Sequence, residues 1–345
     1  VRGWGVTLQA PFPWFGGKSR AADIVWSAFG DVPHYVEPFA GSLAVLLARP
    51  TAPRLETVND LDCYLANFWR AVSLDPEAVA AHADWPVNEA DLSARHQWLV
   101  DQAAFRERMA TDPDYFDARV AGRWVWGLCA WIGSGWCDSA KYRDEEGNRK
   151  LPHLGNAGQG VNRKLPHLGN AGQGVNRKLP HLGDAGQGVN RKLPHLGDAG
   201  QGVTAYFAAL GKRLRNVRVA CGEWRRVLGA NIGANNGIAG IMLDPPYAEG
   251  AADYGVGGTA TGIDAEVREW AIANGDNPRL RIALCGYEGH HAMPDTWQCV
   301  PWKARKGYSS QGADGHNGNG DRERVWLSPH CLGVRQRSLF DGGDP

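Results

Sequence analysis

The run Ile238–Leu243 carries no charged or polar side chain and stops abruptly at Asp244, Pro245, Pro246 and Tyr247. A short apolar run of this kind reads as a strand buried on both faces. Successive prolines cannot continue it, because neither offers an N–H to a ladder. The strand must end there, presenting an acid, a stiff turn and an aromatic ring at its C-terminal edge. In open α/β sheets that edge is where ligands bind. Asp244 and the carbonyl of Pro245 can accept hydrogen bonds from a planar amine, and Tyr247 can stack on the ring that carries it. An exocyclic amino group of a nucleobase has that shape.

The rest of the chain bounds the reading. Its 345 residues are 43% hydrophobic, enough for one large domain or a domain with an insertion. Lys+Arg and Asp+Glu are both 37, so net charge says nothing about partners. Its distribution does: residues 148–203 carry eight basic side chains against Asp184 and Asp198, a net +6 that leaves the remainder at −6. Seven cysteines, an odd number with no C-x-x-C pair, argue against a zinc site and a disulfide framework. Without a signal-peptide pattern or a long apolar run, the expectation is a soluble cytoplasmic protein with no membrane association.

In chain order, the first feature is PFPWFGGKSR, Pro11–Arg20. Gly16 and Gly17 permit close backbone approach to a ligand, and Lys18 places a cation before a predicted helix over 19–29. The plainer reading is an aromatic-rich turn before a helix. Next, residues 34–39 predict a strand, Ala40-Gly41 a tight turn, and residues 42–48 a short helix. Strand, glycine turn and helix begin a nucleotide-binding βαβ unit. The pyrophosphate fingerprint G-x-G-x-x-G is absent, since Leu43 stands where a second glycine could be. A second strand over 55–59 leads to Asp60, spaced to bind ribose hydroxyls or, alternatively, to cap a helix over 61–72. These segments point to an adenosine-containing cofactor without a pyrophosphate.

Residues 76–131 turn helical, with one helix over 90–109 and Trp124, Trp126 and Trp131 read as core. The unit NRKLPHLGNAGQGV then occurs four times between 148 and 203, Asp replacing the second Asn in the last two copies. Each 14-residue unit has little to bury, so a loop array is expected. Its Arg149, Lys150, Arg163, Lys164, Arg177, Lys178, Arg191 and Lys192 suit phosphate contacts. A tolerated surface expansion is the alternative. Helices over 204–215 and 263–273 and strands over 217–221, 238–243, 280–285, 296–301 and 323–327 complete the pattern. The polar loop between the last two strands starts with Lys303, Arg305 and Lys306, further candidates for DNA contact. Alternation of strand and helix predicts a doubly wound, mostly parallel α/β sheet with a long insertion between its second and third strands.

The order FGGK, EPFAGS, ND, CGEW and DPPY resembles the Dam-like class of DNA N6-adenine methyltransferases, and KGYSS and RERVWLSPHC resemble its phage-borne members. The resemblance implies a Rossmann-like S-adenosylmethionine-dependent fold, with residues 1–72 and 216–331 catalytic, 73–215 a target-recognition insertion and 332–345 a tail. It implies that Glu37, Pro38, Phe39 and Gly41 hold S-adenosylmethionine, with Trp14, Phe15, Gly16, Gly17 and Lys18 closing over it. Asp60 would take the ribose, and Glu223 would approach the cofactor adenine, where the family commonly has Asp. Asp244, Pro245, Pro246 and Tyr247 would hold the target adenine, flipped from double-stranded DNA, with S-adenosylhomocysteine as product and no metal. A restriction nuclease is a compatible partner. The same site could grip cytosine for N4 methylation, and a DNA-binding protein without activity could keep the fold.

Overall fold

The computed structural model describes residues 8–12, 14, 17–131, 135–137, 201–229, 232, 237–247, 262–303 and 322–333. Its centre is a seven-stranded sheet in the order β3-β2-β1-β4-β5-β7-β6. The strands are β1 (His34–Glu37), β2 (Leu55–Asp60), β3 (Val217–Cys221), β4 (Ala239–Leu243), β5 (Leu280–Tyr287), β6 (Gln298–Pro301) and β7 (Glu323–Leu327). The first five run parallel, while β7 is antiparallel to both β5 and β6. The order runs outward in both directions from β1 and β4, which pair in register from His34↔Ala239 to Val36↔Ile241. A crevice opens at such a reversal, outside the carboxyl ends of the two strands.

Both faces of the sheet are covered, as continuous apolar strands require. On one face Tyr35, Met242, Ala283 and Cys285 join a core with helices α1 (Ala22–Phe29), α3 (Cys63–Leu74) and α7 (Ala118–Ala130). On the other, Val36, Ile241, Leu243, Ile282 and Leu284 pack with Val267 and Ala271 of α9 (Ile263–Asn274). The period of two along each strand produces this division. Each fully buried aliphatic side chain in it contributes about 1.5–3 kcal/mol. Gly240 sits within β4 because a Cβ there would come 2.7 Å from the Phe29 ring.

Between β2 and β3 the chain builds α3, α4 (Pro76–Ala83), α5 (Glu89–Val100), α6 (Ala103–Thr111), α7 and α8 (Gln201–Leu214). The single helix predicted over 90–109 is two, broken at Asp101 and Gln102, where the backbone N–H of Asp101 closes α5 on the Gln97 and Leu99 carbonyls. Trp124 and Trp126 are buried as expected, whereas Trp131 is only half-buried. Asn67, fully buried, exchanges hydrogen bonds with the backbone of Asp117 at 2.9 and 2.7 Å, so its amide costs little there. Asp117 in turn caps α7 through Val120 N–H. The return from the insertion is tied to the sheet by Arg213 of α8, which meets Glu56 of β2 at 2.6 Å while Arg49 meets it at 3.1 Å.

Most of the fourfold repeat lies outside the described residues. Its last three, Gln201–Val203, open α8 and are not loop as expected, and Val203 is buried in the core. Leu332, expected to start a tail, donates its N–H to the Ala28 carbonyl of α1 at 2.7 Å.

Candidate active site

The turn after β1 is held from three sides. Ala40 N–H donates to the Asn59 carbonyl at 2.8 Å, and Gly41 N–H donates to Asp60 Oδ2 at 3.0 Å. Trp69 Nε1 donates to the Gly41 carbonyl at 3.0 Å. Gly41 has φ +46, and a Cβ on it would come 2.8 Å from Trp14 Nε1, so glycine serves both the backbone and the approach of the indole. Leu43 is also left-handed, with φ 52 and ψ 26, although it is not glycine. Its side chain is fully buried. Asn59 Nδ2 donates to the carbonyls of Pro38 and Gly222 at 3.1 and 2.8 Å, which locks together the loops following β1 and β3.

Asp60 does not cap the next helix. Asp62 does, accepting from the N–H groups of Tyr64 and Leu65, so α3 starts at Cys63 and not at Leu61. Asp60 instead accepts from Gly41 N–H and, through Oδ1, from Asp62 N–H at 2.9 Å. Burial pushes its carboxyl up to about 6, against the pull of those donors. Glu37 is buried at the end of β1 and accepts from the Tyr35 hydroxyl at 3.0 Å. Burial holds its carboxyl well above the usual range, and the charges of Asp244 and Asp60 add to that. Burial thus favours the neutral form of both carboxyls at the carboxyl ends of β1 and β2.

At the end of β4 the predicted turn follows, with Pro245 buried and Asp244 partly solvated. Lys18 Nζ reaches Asp244 Oδ1 at 2.9 Å. It comes from a segment seated by aromatic contacts: Phe12 lies 5.4–5.5 Å from the rings of Phe68, Trp69 and Trp124. The aromatic-rich stretch is therefore an anchor on α3 and α7. Lys18 also lies 5.2 Å from the centroid of the Tyr247 ring and 5.7 Å from that of Trp302. The Tyr247 hydroxyl is 3.1 Å from Asp244 Oδ1 and 3.4 Å from Glu323 Oε2. Its ring is buried, edge-on to Tyr287 with centroids 4.7 Å apart.

Lys18, Glu37, Gly41, Asp60, Asp244 and Tyr247 thus come to one sheet edge, with Trp14 against Gly41. Phe39 stacks on Trp224 at 6.1 Å. Glu223 stands at the end of β3 but is exposed, and its carboxylate accepts from Arg225 N–H at 2.9 Å. Phe15, Gly16, Arg305, Lys306 and the eight basic residues of the repeat lie outside the described residues. Lys303 lies beyond β6, where its carbonyl accepts from Arg20 Nη1 at 3.3 Å. Tyr287 and His290 have no motif to single them out in the sequence, and Glu323, inside RERVWLSPHC, is not among the residues the resemblance assigns to the site. His290, held by Asp264 at 2.7 Å, has its ring 6.0 Å from that of Tyr247. Glu323 carries one weak signal, an acid opening an apolar strand; the hairpin that brings it here has no local signature. Among the described residues no cluster of three or more His, Cys, Asp or Glu could hold a metal, and all seven cysteines are free.

A family model for the D12 class N6 adenine-specific DNA methyltransferases matches residues 14–102. The match covers about a quarter of the 345 residues and shows what this segment is similar to. The matched part carries Trp14, Lys18, Glu37, Gly41 and Asp60. Asp244, Tyr247 and Glu323 lie beyond it and join the matched segment through the sheet. No curated protein matches the chain. The activity in that family's description is methylation of DNA adenine at N6.

Proposed function

We propose that this methyltransferase moves a methyl group from S-adenosylmethionine to the N6 amine of a flipped-out adenine at a specific DNA site, with Asp244 gripping that amine. The carrying observation is the placement of Asp244 at the end of β4, beside the β1 turn and bound by Lys18 and Tyr247. When bound, S-adenosylmethionine supplies an electrophilic methyl group on a positively charged sulfur. Glu37 and Asp60, at the ends of β1 and β2 beside the Gly41 turn, are the polar groups that support such a ligand. Asp244 and the Pro245 carbonyl accept from the amine and bias its nitrogen toward tetrahedral geometry, freeing the lone pair. Lys18 orients the Asp244 carboxylate, so positioning and electrostatics carry the rate.

Flipping an adenine from the duplex costs a few kcal/mol. Tyr247 recovers part of that by stacking only once its ring face is uncovered; with the ring buried, its supported role is to hold Asp244. We assign target recognition to the helices inserted between β2 and β3. There Arg119 and Arg123 lie 4.9 and 4.3 Å from the Trp98 ring centroid, a stacked cationic surface suited to nucleic acid. Among the described residues no helix is long and apolar enough to cross a membrane.

The test is Asp244→Ala, assayed by digesting treated DNA to nucleosides. Wild type should yield N6-methyladenine, and the variant none, with cofactor binding by calorimetry retained. Turnover in the variant, or N4-methylcytosine from wild type, would overturn the assignment.

A further inference from the structure

Glu323 opens β7 and is 4% exposed, a carboxyl group with almost no access to water. Its main chain is fixed on two sides: it pairs with Tyr287 of β5, and its carbonyl accepts from Trp302 N–H at 3.2 Å. Its side chain therefore has one direction to take, toward the carboxyl end of β4. A buried carboxyl group needs a partner, and the group facing it is the Tyr247 hydroxyl, 3.4 Å from Oε2.

That hydroxyl has one proton and also lies 3.1 Å from Asp244 Oδ1. Two carboxyl groups share one phenol, and the ammonium of Lys18 sits on the Asp244 side at 2.9 Å. With both acids ionised, the phenol's one proton can go to only one of them, and Lys18 serves Asp244 in either case. The arrangement that joins all three groups has Glu323 in its acid form donating to the phenol oxygen and the phenol donating to Asp244. Lys18, Asp244, Tyr247 and the Cys285 thiol are the titratable groups whose fields Glu323 shares. Burial and the Asp244 charge push the Glu323 carboxyl upward, with Lys18 and the phenol pulling the other way.

We propose that Glu323 is a positioning residue of the methyl-transfer site, donating to the Tyr247 oxygen and thereby fixing the Asp244 carboxylate toward the target amine. The proposal rests on the reading of Asp244 given above. Glu323 acts through the Tyr247 oxygen, its hydrogen-bonding contact with the site.

That hydrogen bond makes the proposal testable by single-turnover methyl transfer to genomic DNA from a methylation-deficient host, at saturating S-adenosylmethionine. Glu323→Leu should lower the rate by about tenfold, the loss of one hydrogen bond in the transition state, with unchanged cofactor affinity. Glu323→Gln keeps an N–H donor and should restore most of the rate. In a Tyr247→Phe background, Glu323→Leu should add less than about twofold, since the connection is already cut. The wild-type rate should fall on the alkaline side as Glu323 loses its proton, and Glu323→Gln should flatten that limb. Equal losses in both backgrounds, or a Glu323→Gln variant as poor as Glu323→Leu, would overturn the proposal. Should Glu323→Leu fail to fold, the Gln variant and its pH profile decide alone. An inactive wild type would sink the functional reading itself, whereas an active wild type with an indifferent Glu323 sinks only this inference.

Discussion

Lys18 and Asp244 are 226 positions apart in the sequence and their side chains meet at 2.9 Å. The first belongs to the segment before α1 and the second to the turn after β4, so the pair closes the edge of the sheet. Lys18 is buried while Asp244 keeps some exposure to water. Removing one partner of such a pair strands the other.

Lys18→Met keeps the length of the side chain and deletes the charge. It should lower stability by about 1–3 kcal/mol, below the full cost of breaking a buried pair because Asp244 is partly solvated. Methyl transfer should fall by about tenfold or more, since Asp244 loses the cation that orients it. Thermal melts and single-turnover rates check the two effects separately. A variant that melts early but turns over normally would show that the pair is structural only.

Asp60 gives a pH dependence with a definite sign. Its folded carboxyl stands at about 6, above the ordinary 3.8. The folded state therefore holds the proton more tightly than the unfolded chain. The contribution to stability is fully present below 3.8 and is lost as pH rises through about 6. Cofactor binding should run the opposite way, since an ionised Asp60 is the better acceptor for ribose hydroxyls. The affinity for S-adenosylmethionine, measured by calorimetry, should rise between pH 5 and 7 with a midpoint near 6, and Asp60→Asn should flatten it. A flat wild-type profile would remove Asp60 from the ribose site.

Much of this site is legible in the sequence because its parts are local. A strand that must stop at Pro245, a glycine turn at Gly41 and an acid at Asp60 each announce themselves within a few residues. The parallel order follows from alternation of strand and helix. What stays hidden depends on long-range packing. Glu323 arrives on an antiparallel strand whose pairing with β5 nothing local specifies. The Lys18–Asp244 pair depends on how Phe12 docks among Phe68, Trp69 and Trp124. The cap of α3 is ambiguous between two nearby acids: Asp60 and Asp62 both precede the helix, and only the one whose carboxylate reaches Tyr64 N–H can cap it.

Leu43 occupies a left-handed conformation that L-residues adopt at a cost of about 1 kcal/mol. Its fully buried side chain more than offsets that cost. Both Leu43→Ala and Leu43→Gly should therefore destabilise the fold. Their order should be unusual: the glycine variant should be the more stable by about 1 kcal/mol, because alanine keeps the strain and loses the packing. Urea titrations of the two variants decide it. An alanine variant as stable as the glycine one would mean that the turn relaxes when the side chain is cut back.

The repeat should be trimmed from its first unit, not its last. Val203 belongs to the core and Gln201–Val203 to α8, so a deletion running through residue 203 would damage the fold whatever the array does. Deleting residues 148–189 removes three units and leaves the fourth to lead into α8. It also removes Arg149, Lys150, Arg163, Lys164, Arg177 and Lys178 together with Asp184. If these cations touch phosphates, the log–log dependence of DNA affinity on salt should flatten by about 0.9 for each phosphate the protein no longer neutralises. Cofactor affinity should not change, because Gly41 and Asp60 are positioned by β1, β2 and α3. Filter binding or fluorescence anisotropy across a salt series reads the slope directly. An unchanged slope would assign DNA binding to the inserted helices and leave the extra copies as a tolerated expansion.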